Sequence, residues 1–143
     1  MLDNLGQKIL SVLIDDSRLS YRKIAKKLGV STATVISRIK GLEKENVILS
    51  YTAVLDHEKL GYDIEVMIEI RISKGRLLDV ERKIATDPNV FAVYDVTGDF
   101  DAVVLARFKN RRAMDNFIKK LQTYNFVERT NTKMILHSLK RAV

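Results

Sequence analysis

The basic side chains of this chain are concentrated in residues 17–44. This window holds eight Lys or Arg residues and one acid, Glu43, so it carries as much net charge, +7, as the whole chain of 143 residues. The basic residues are Arg18, Arg22, Lys23, Lys26, Lys27, Arg38, Lys40 and Lys44. Ammonium and guanidinium groups neutralise phosphates, and a strongly basic surface is typical of proteins that bind nucleic acid. The concentration of charge therefore indicates an anionic polymer as a partner.

Three short helices are predicted around these charges. The first covers residues 3–15, and Ser20 is expected to cap the second. Gly29 suits the left-handed residue that ends a helix, and Ser31 or Thr32 is expected to cap the third. The inward face of the third helix is predicted to consist of Val35, Ile39 and Leu42. Two helices separated by such a turn are typical of a helix-turn-helix, which places its second helix in the major groove of DNA.

The outward face of the third helix is small, polar and basic. It contains Ala33, Thr34, Ser37, Lys40, Gly41 and Lys44, with Thr32 and Arg38 at its flanks. Small groups suit a close approach to base edges, and basic groups suit phosphates. The predicted DNA-binding residues are Tyr21, Arg22, Lys23, Ser31, Thr32, Ala33, Thr34, Ser37, Arg38 and Lys40. The alternative is that this face is merely solvated.

Two residues in or next to the third helix are informative about its backbone conformation. Gly41 costs about 1 kcal/mol relative to Ala in mid-helix, which a close approach by the core or by DNA would explain. Asn46 is predicted to end the helix, because Asn follows Gly in its tolerance of the left-handed conformation.

The remainder of the chain has the pattern of an α+β domain. Residues 47–55 form a β-prone run, and residues 62–73 alternate between apolar side chains and a second set that is polar except for Met67. Further strands are predicted at 90–96, 101–108 and 127–136, with helices around Leu77–Ile84 and after Asn110. The order β-α-β-β-α-β is typical of a ferredoxin-like sandwich. We therefore expect a winged helix-turn-helix of three helices and a β-strand linker in residues 1–60, and a ferredoxin-like domain in residues 61–143.

Two groups of residues carry a family resemblance. The first is the run Tyr21-Arg22-Lys23-Ile24-Ala25-Lys26-Lys27-Leu28-Gly29-Val30-Ser31, followed by Val35, Arg38-Ile39, Leu42-Glu43 and Val47-Ile48. It resembles the helix-turn-helix of the Lrp/AsnC regulators, the feast/famine transcription factors of bacteria and archaea. The second is Leu60-Gly61-Tyr62 and Thr97-Gly98-Asp99-Phe100-Asp101, which resemble the entry to that family's effector domain and a hairpin loop within it. The resemblance runs from about residue 5 to residue 139. It departs from the family at Asn46, where Gly is usual, and at His57, where Pro is common.

The resemblance implies a C-terminal domain that senses amino acids and dimerises, often assembling into octamers. The implied effector site lies near the Gly-Asp loop at a subunit interface. Its candidate residues are Thr97, Gly98, Asp99, Phe100, Asp101, Thr130 and Thr132. Carboxylates of the loop could accept an ammonium group, and backbone N–H groups could hold a carboxylate. The local alternative is that Gly98-Asp99 is simply a two-residue type II′ hairpin turn.

Self-association also follows from the strand pattern. A ferredoxin-like sheet is covered by helices on one face, and the strand at 62–73 is too regular and apolar to suit a solvated edge. Pairing around a two-fold axis would hide these surfaces and present two recognition helices to successive major-groove turns. We expect at least a dimer bound to a pseudo-palindromic site.

Several function classes find no support in the sequence. There is no Cys, so disulfides and thiolate metal sites are excluded, which fits a reducing cytoplasm. His57 and His137 lie in no catalytic motif, and we predict neither a catalytic nor a metal site. No apolar run approaches the ~20 residues of a membrane span, and the N-terminus lacks the layout of a signal peptide. The expected location is the cytoplasm, with no membrane partner and no cofactor other than an amino-acid effector.

Two functions remain open at this point. The first is a sequence-specific regulator of transcription that responds to a small molecule. The second is an architectural protein that compacts DNA with little sequence preference. Both require a basic helix-turn-helix and oligomerisation, and they differ in whether individual bases are recognised.

Overall fold

Three helices make up the N-terminal part of the chain in a computed structural model that describes residues 2–141. They are α1 (Asn4–Asp15), α2 (Tyr21–Leu28) and α3 (Thr32–Lys44). The side chain of Ser20 accepts a hydrogen bond from the Lys23 N–H, as predicted, and Asp3 accepts one from the Gly6 N–H at the start of α1. Their shared core includes Ile9, Ile24, Val35 and Ile39, each with at most 1% of its surface exposed.

The two helix ends predicted from left-handed residues are confirmed. Gly29 has a φ of 68° and closes α2, while Asn46 has a φ of 57° shortly after α3 ends at Lys44. The turn between α2 and α3 is therefore short. Three residues connect the two helices, so the N-terminus of α3 lies close to the C-terminus of α2.

Residues 47–55 differ from the prediction of a β-strand linker. They are largely exposed, and within the described part of the chain they form no strand. The N–H groups of Val47 and Ile48 donate instead to the Leu42 carbonyl near the end of α3. A strand requires a partner for its N–H and C=O groups, and β-propensity does not show whether one is present. The side chain of Ile48 packs against the helical core, and the Tyr51 hydroxyl donates to Glu43 Oε1 at 2.8 Å.

The second half of the chain is a four-stranded antiparallel sheet with two helices. Its elements are β1 (Ile64–Ile72), α4 (Leu77–Ala85), β2 (Val90–Asp95), β3 (Ala102–Phe108), α5 (Arg111–Gln122) and β4 (Val127–Met134). The strand order is β2-β3-β1-β4, so the two strands of each βαβ unit are separated in the sheet by one strand of the other unit. This is the predicted ferredoxin-like topology. Asn110 caps α5 through its side chain, also as predicted.

The two faces of the sheet have different environments. One face packs against Val80 and Ile84 of α4 and against Met114, Phe117 and Leu121 of α5. Its own residues are Val66, Ile68, Ile70, Ala102, Val104, Ala106 and Phe108, all fully buried. The register places the alternate residues on the opposite face, which we call the open face: Glu65, Met67, Glu69, Arg71, Ala92, Tyr94, Val103, Leu105, Arg107, Arg129, Asn131 and Lys133.

The hairpin between β2 and β3 is longer than predicted. Val96 N–H donates to the Asp101 carbonyl at 3.0 Å, which leaves residues 97–100 as a four-residue loop instead of a two-residue type II′ turn. Gly98 has a φ of 111°, a conformation that side chains rarely adopt. The need for Gly was predicted correctly, but the loop length depends on where the ladder between the strands ends.

The chain divides into two compact units, Met1–Ala53 and Val54–Val143, each with a core of its own. This division falls a few residues before the predicted boundary after residue 60. Between residues 2 and 141, every helix is too short or too polar to span a membrane.

Candidate functional site

The outward face of α3 is largely open to solvent. Val35, Ile39 and Leu42 are buried, as predicted, and this orientation leaves Ala33, Ser37 and Lys40 exposed. Thr32 and Thr34 are half-buried at the first turn. The exposed groups are a methyl, a hydroxyl and an ammonium, none of which is bulky near the helix axis. Such a face can approach base edges closely.

Ser31 acts first as the cap of α3. Its Oγ accepts a hydrogen bond from the Thr34 N–H at 3.1 Å and shares a 2.8 Å hydrogen bond with Thr34 Oγ1. The two predicted DNA-binding hydroxyls therefore stabilise the N-terminus of the helix, where the dipole favours an anion. A phosphate at this end would meet the backbone N–H groups of the first turn as well as these side chains.

The basic side chains of residues 17–44 all lie at the surface. Arg22 and Lys23, together with the exposed Tyr21, project from the first turn of α2. Among the ion pairs between described residues, the members of this basic group contribute one, from Arg38. The remaining positive charges of the group are therefore solvated, which suits exchange for DNA phosphates.

Arg38 is directed away from the centre of the outward face. Its Nη1 donates to Asp3 Oδ2, so it joins α3 to the cap of α1. The Arg38 guanidinium, followed by the Gly6 N–H, holds the pKa of the Asp3 carboxyl below its usual value. Asp3 was not predicted as a functional residue, although an Asp directly before an apolar helical pattern was a signal for its capping role.

Asp101 fixes the loop between β2 and β3 to the neighbouring strand β1. Its Oδ2 accepts the Ile72 N–H at 2.7 Å, and its own N–H donates to the Ile70 carbonyl at 2.9 Å. One carboxylate oxygen that was predicted to bind an ammonium group is thus engaged in positioning the loop. The side chain of Asp99 is exposed at the tip of the loop.

Two arginines that were not among the predicted site residues lie beside the loop. Arg71 Nη1 donates to the Asp99 carbonyl at 3.2 Å, and the Arg129 guanidinium lies 4.9 Å from the centre of the Phe100 ring. Arg71 and Arg129 come from strands about 60 positions apart in the chain, and no local pattern pairs them. Strand register brings them together.

Thr130 and Thr132 are not placed with these arginines. They pair with Ile70 and Ile68 in the register of β4 against β1, so their side chains share the helix-covered face. Both are half-buried there. The residues of β4 on the open face are Arg129, Asn131 and Lys133.

A metal centre finds no support in the described residues, which contain no group of three or more His, Cys, Asp or Glu side chains placed to hold an ion. The features that remain are an exposed basic helix-turn-helix and a loop whose carboxylate and neighbouring arginines face solvent.

Comparisons with known proteins identify both units. Residues 2–43 match the family model of the AsnC-type helix-turn-helix domain, and residues 65–143 match that of the Lrp/AsnC ligand binding domain. An uncharacterised HTH-type transcriptional regulator of Pyrococcus furiosus is 47% identical over 139 residues, which cover 97% of this chain and 94% of that protein.

Solved structures share the fold of this chain. The structure of E. coli AsnC superposes with a TM-score of 0.93 at 25% identity, covering 100% of this chain and 97% of that one. A transcriptional regulator of Neisseria meningitidis solved in complex with L-Met superposes with a TM-score of 0.91 at 23% identity, covering 99% and 94%. The chain belongs to the Lrp/AsnC family of transcriptional regulators.

Proposed function

We propose that this chain regulates transcription by binding specific DNA sites through α3, and that an amino acid bound near the loop 97–101 changes its assembly. The exposed outward face of α3 is the observation that carries the DNA-binding proposal. It combines small groups that permit contact with bases and a basic group for phosphates. The predicted DNA-binding residues keep this role as part of the proposal.

Base recognition and phosphate binding are assigned to different side chains of α3. Ser37 lies on the exposed face and offers a hydroxyl that donates to or accepts from a base edge. Lys40 lies beside it and offers a point charge to a phosphate. We expect Ser37→Ala to cost about 1–3 kcal/mol at particular base positions, and Lys40→Ala to weaken binding evenly and lower the salt slope by about 1.

Selection of binding sites from genomic DNA tests this assignment. The full chain is compared with the variants Ser37→Ala and Lys40→Ala. Lys119→Ala is the control, because Lys119 is an exposed basic residue on α5. A consensus that loses definition at one or two positions in Ser37→Ala supports a specific regulator. Recovery of no consensus by the full chain would establish the architectural alternative instead.

The dimer is supported by apolar groups left exposed in a single chain. On the open face, Tyr94 is 54% exposed, and Val103 and Leu105 are half-buried beside it. In residues 47–55, Leu49 is 84% exposed and Val54 is 68% exposed. A second copy would cover such surfaces, and a two-fold dimer would carry two α3 helices for a pseudo-palindromic site. Octamers would follow from association of such dimers.

The effector proposal is supported by the family model of the C-terminal unit and by the loop geometry. Asp101 and Arg71 hold the loop in place, and the Asp99 carboxylate is presented to solvent. Calorimetry with each of the twenty amino acids tests the proposal. Heat of binding from at least one amino acid is the expected result, and no heat from any of them would remove the effector function.

If an amino acid binds, its effect on DNA is a population shift. A ligand that favours one arrangement of subunits changes the spacing between helix-turn-helix pairs. Repeating the DNA selection with and without an amino-acid mixture shows this directly. We expect the mixture to change the spacing or number of half-sites and to leave the half-site sequence unchanged.

A further inference from the structure

Two like charges face each other on the open face of the sheet. Arg71 of β1 and Arg129 of β4 are directly paired in the register of the two strands. Like charges at directly opposed positions destabilise a sheet. An anionic group placed between the two guanidinium groups would turn this repulsion into attraction.

A β-bulge adds one carboxylate to this pair. Arg71 pairs with Arg129 while Ile72 pairs with Val127, so Glu128 is the extra residue on β4. Glu128 Oε2 lies 3.7 Å from Arg71 Nε, and its Oε1 accepts a hydrogen bond from Ser73 Oγ at 3.2 Å. Glu128 therefore neutralises part of the charge of Arg71. The guanidinium of Arg129 lies over the Phe100 ring instead.

Both guanidinium groups also contact the loop 97–101. Arg71 donates to the Asp99 carbonyl through one Nη, and Arg129 lies over the Phe100 ring. Stacking on a ring leaves the N–H groups at the edge of a guanidinium able to donate. The exposed carboxylate of Asp99 is part of the same loop. Two guanidinium groups and two carboxylates, those of Asp99 and Glu128, therefore lie at this end of the open face, and Glu128 is paired with Arg71.

We propose that this cluster selects an acidic amino acid as the effector, which deepens the proposed effector function and rests on it. Arg71 and Arg129 bind the two carboxylates of aspartate or glutamate, and Asp99 accepts its ammonium group. Glu128 already pairs with Arg71, whereas Arg129 forms no ion pair among the described residues, so Arg129 supplies the positive charge that favours an acid over its amide. Guanidinium groups bind carboxylates in a bidentate manner, which amides do not reproduce with the same strength.

Calorimetry on the full chain tests the proposal with L-glutamate, L-aspartate, L-glutamine, L-asparagine and L-leucine as probes. We expect one of the two acids to bind at least tenfold more tightly than its amide. In Arg129→Gln the affinity for that acid falls at least tenfold, while the affinity for the amide changes less than twofold. Arg112→Gln is the matched control, because Arg112 is an exposed arginine on α5.

A second variant keeps the test sharp if Arg129→Gln folds poorly. Arg129→Lys retains the charge and loses the planar, bidentate geometry, so its affinity for the acid is expected between those of the other two proteins. Circular dichroism confirms that each variant is folded before its binding is compared.

The outcomes separate the two proposals. Binding of neutral amino acids without a preference for the acids would overturn the acidic effector and leave the effector function standing. Binding of no amino acid at all would overturn both. Equal losses in Arg129→Gln and Arg112→Gln would show a general effect of net charge and would also overturn the proposal.

Discussion

The carboxylate of Asp3 contributes to two contacts at the start of α1. Oδ1 caps the helix by accepting the Gly6 N–H at 2.8 Å, and Oδ2 pairs with Arg38 of α3. Asn caps a helix as well as Asp does, but it cannot form the ion pair. The two contributions can therefore be separated by substitution.

Asp3→Ala is predicted to lower the urea midpoint of the N-terminal unit clearly more than Asp3→Asn does. The reason is that Ala removes the cap and the ion pair together, whereas an exposed ion pair by itself contributes little. Urea unfolding followed by circular dichroism measures the difference. Equal losses in the two variants would assign the whole effect to the pair with Arg38.

The surroundings of Glu81 disfavour the charged form of its carboxyl group. One of its oxygens, Oε1, is buried without a hydrogen-bond partner among the described residues. Burial, followed by the nearby charge of Asp95, raises the pKa of Glu81 above its usual value. The Glu81 carboxyl therefore binds its proton more tightly in the folded protein than in the unfolded chain. Stability falls as the pH rises from the usual pKa of Glu to the raised pKa of the folded state.

Glu81→Gln is predicted to stabilise the protein at pH 7 and to lose this advantage near pH 4, where the wild-type carboxyl becomes protonated. A gain on the order of 0.5 kcal/mol would shift Tm by about 2–4 °C in a unit of this size. Thermal unfolding at both pH values measures it, with the exposed Glu58→Gln as control. A gain of equal size at pH 4 would contradict the electrostatic explanation.

At the scale of elements, Gly29 and Gly41 of the helix-turn-helix are glycines for different reasons. Gly29 has a positive φ of 68°, which costs an L-residue about 1–2 kcal/mol. Gly41 lies inside α3, and a Cβ added there would meet no atom within 4 Å. The core therefore does not require Gly41, and of the two explanations offered by the sequence, a close approach by DNA remains.

Gly41→Ala is predicted to raise the free energy of unfolding by up to about 1 kcal/mol, because Ala is the better helix former. We expect the same variant to weaken specific DNA binding, since its methyl group enlarges the outward face of α3. Urea unfolding and DNA titration of one preparation measure both quantities. A stabilised variant with unchanged DNA affinity would show that Gly41 is not needed for the approach.

Gly29→Ala provides the comparison for that experiment. It should lower stability by about 1 kcal/mol, because the left-handed conformation is unfavourable for Ala. Any loss of DNA binding in this variant would then accompany a loss of stability. Opposite signs of the stability change in the two variants are the expected signature.

At the scale of the whole molecule, the open face of the sheet is predicted to be the dimer contact. Leu105→Glu places a charge in the middle of this face, where Leu105 is half-buried in the single chain. The charge is tolerated in a solvated monomer but not in an apolar interface, so the variant should be monomeric at micromolar concentration.

Sedimentation of the wild type and the variant measures this effect. Leu78→Glu is the matched control, because Leu78 is 61% exposed on α4, outside the open face. We expect the control to remain dimeric. A wild-type protein that sediments as a stable monomer would exclude the dimer, and a dimeric Leu105→Glu would place the contact elsewhere.

Much of the fold was predictable because its signals are local. Ser20, Ser31 and Asn110 cap helices through hydrogen bonds that span only three residues, and Gly29 and Asn46 end helices through their own φ angles. Period-2 and period-3.6 patterns then identified which side chains form the core. These properties depend on neighbours in sequence, so the sequence contains them.

The arrangement of the candidate sites was decided by tertiary structure. Register brought Arg71 opposite Arg129 and turned Thr130 and Thr132 to the helix-covered face, and helix packing joined Arg38 to Asp3. Residues 47–55 had the composition of a strand, and in the single chain the described residues offer them no partner. Each of these outcomes depends on which distant segments come into contact. Composition and periodicity describe what a segment can do, and only packing selects its partner.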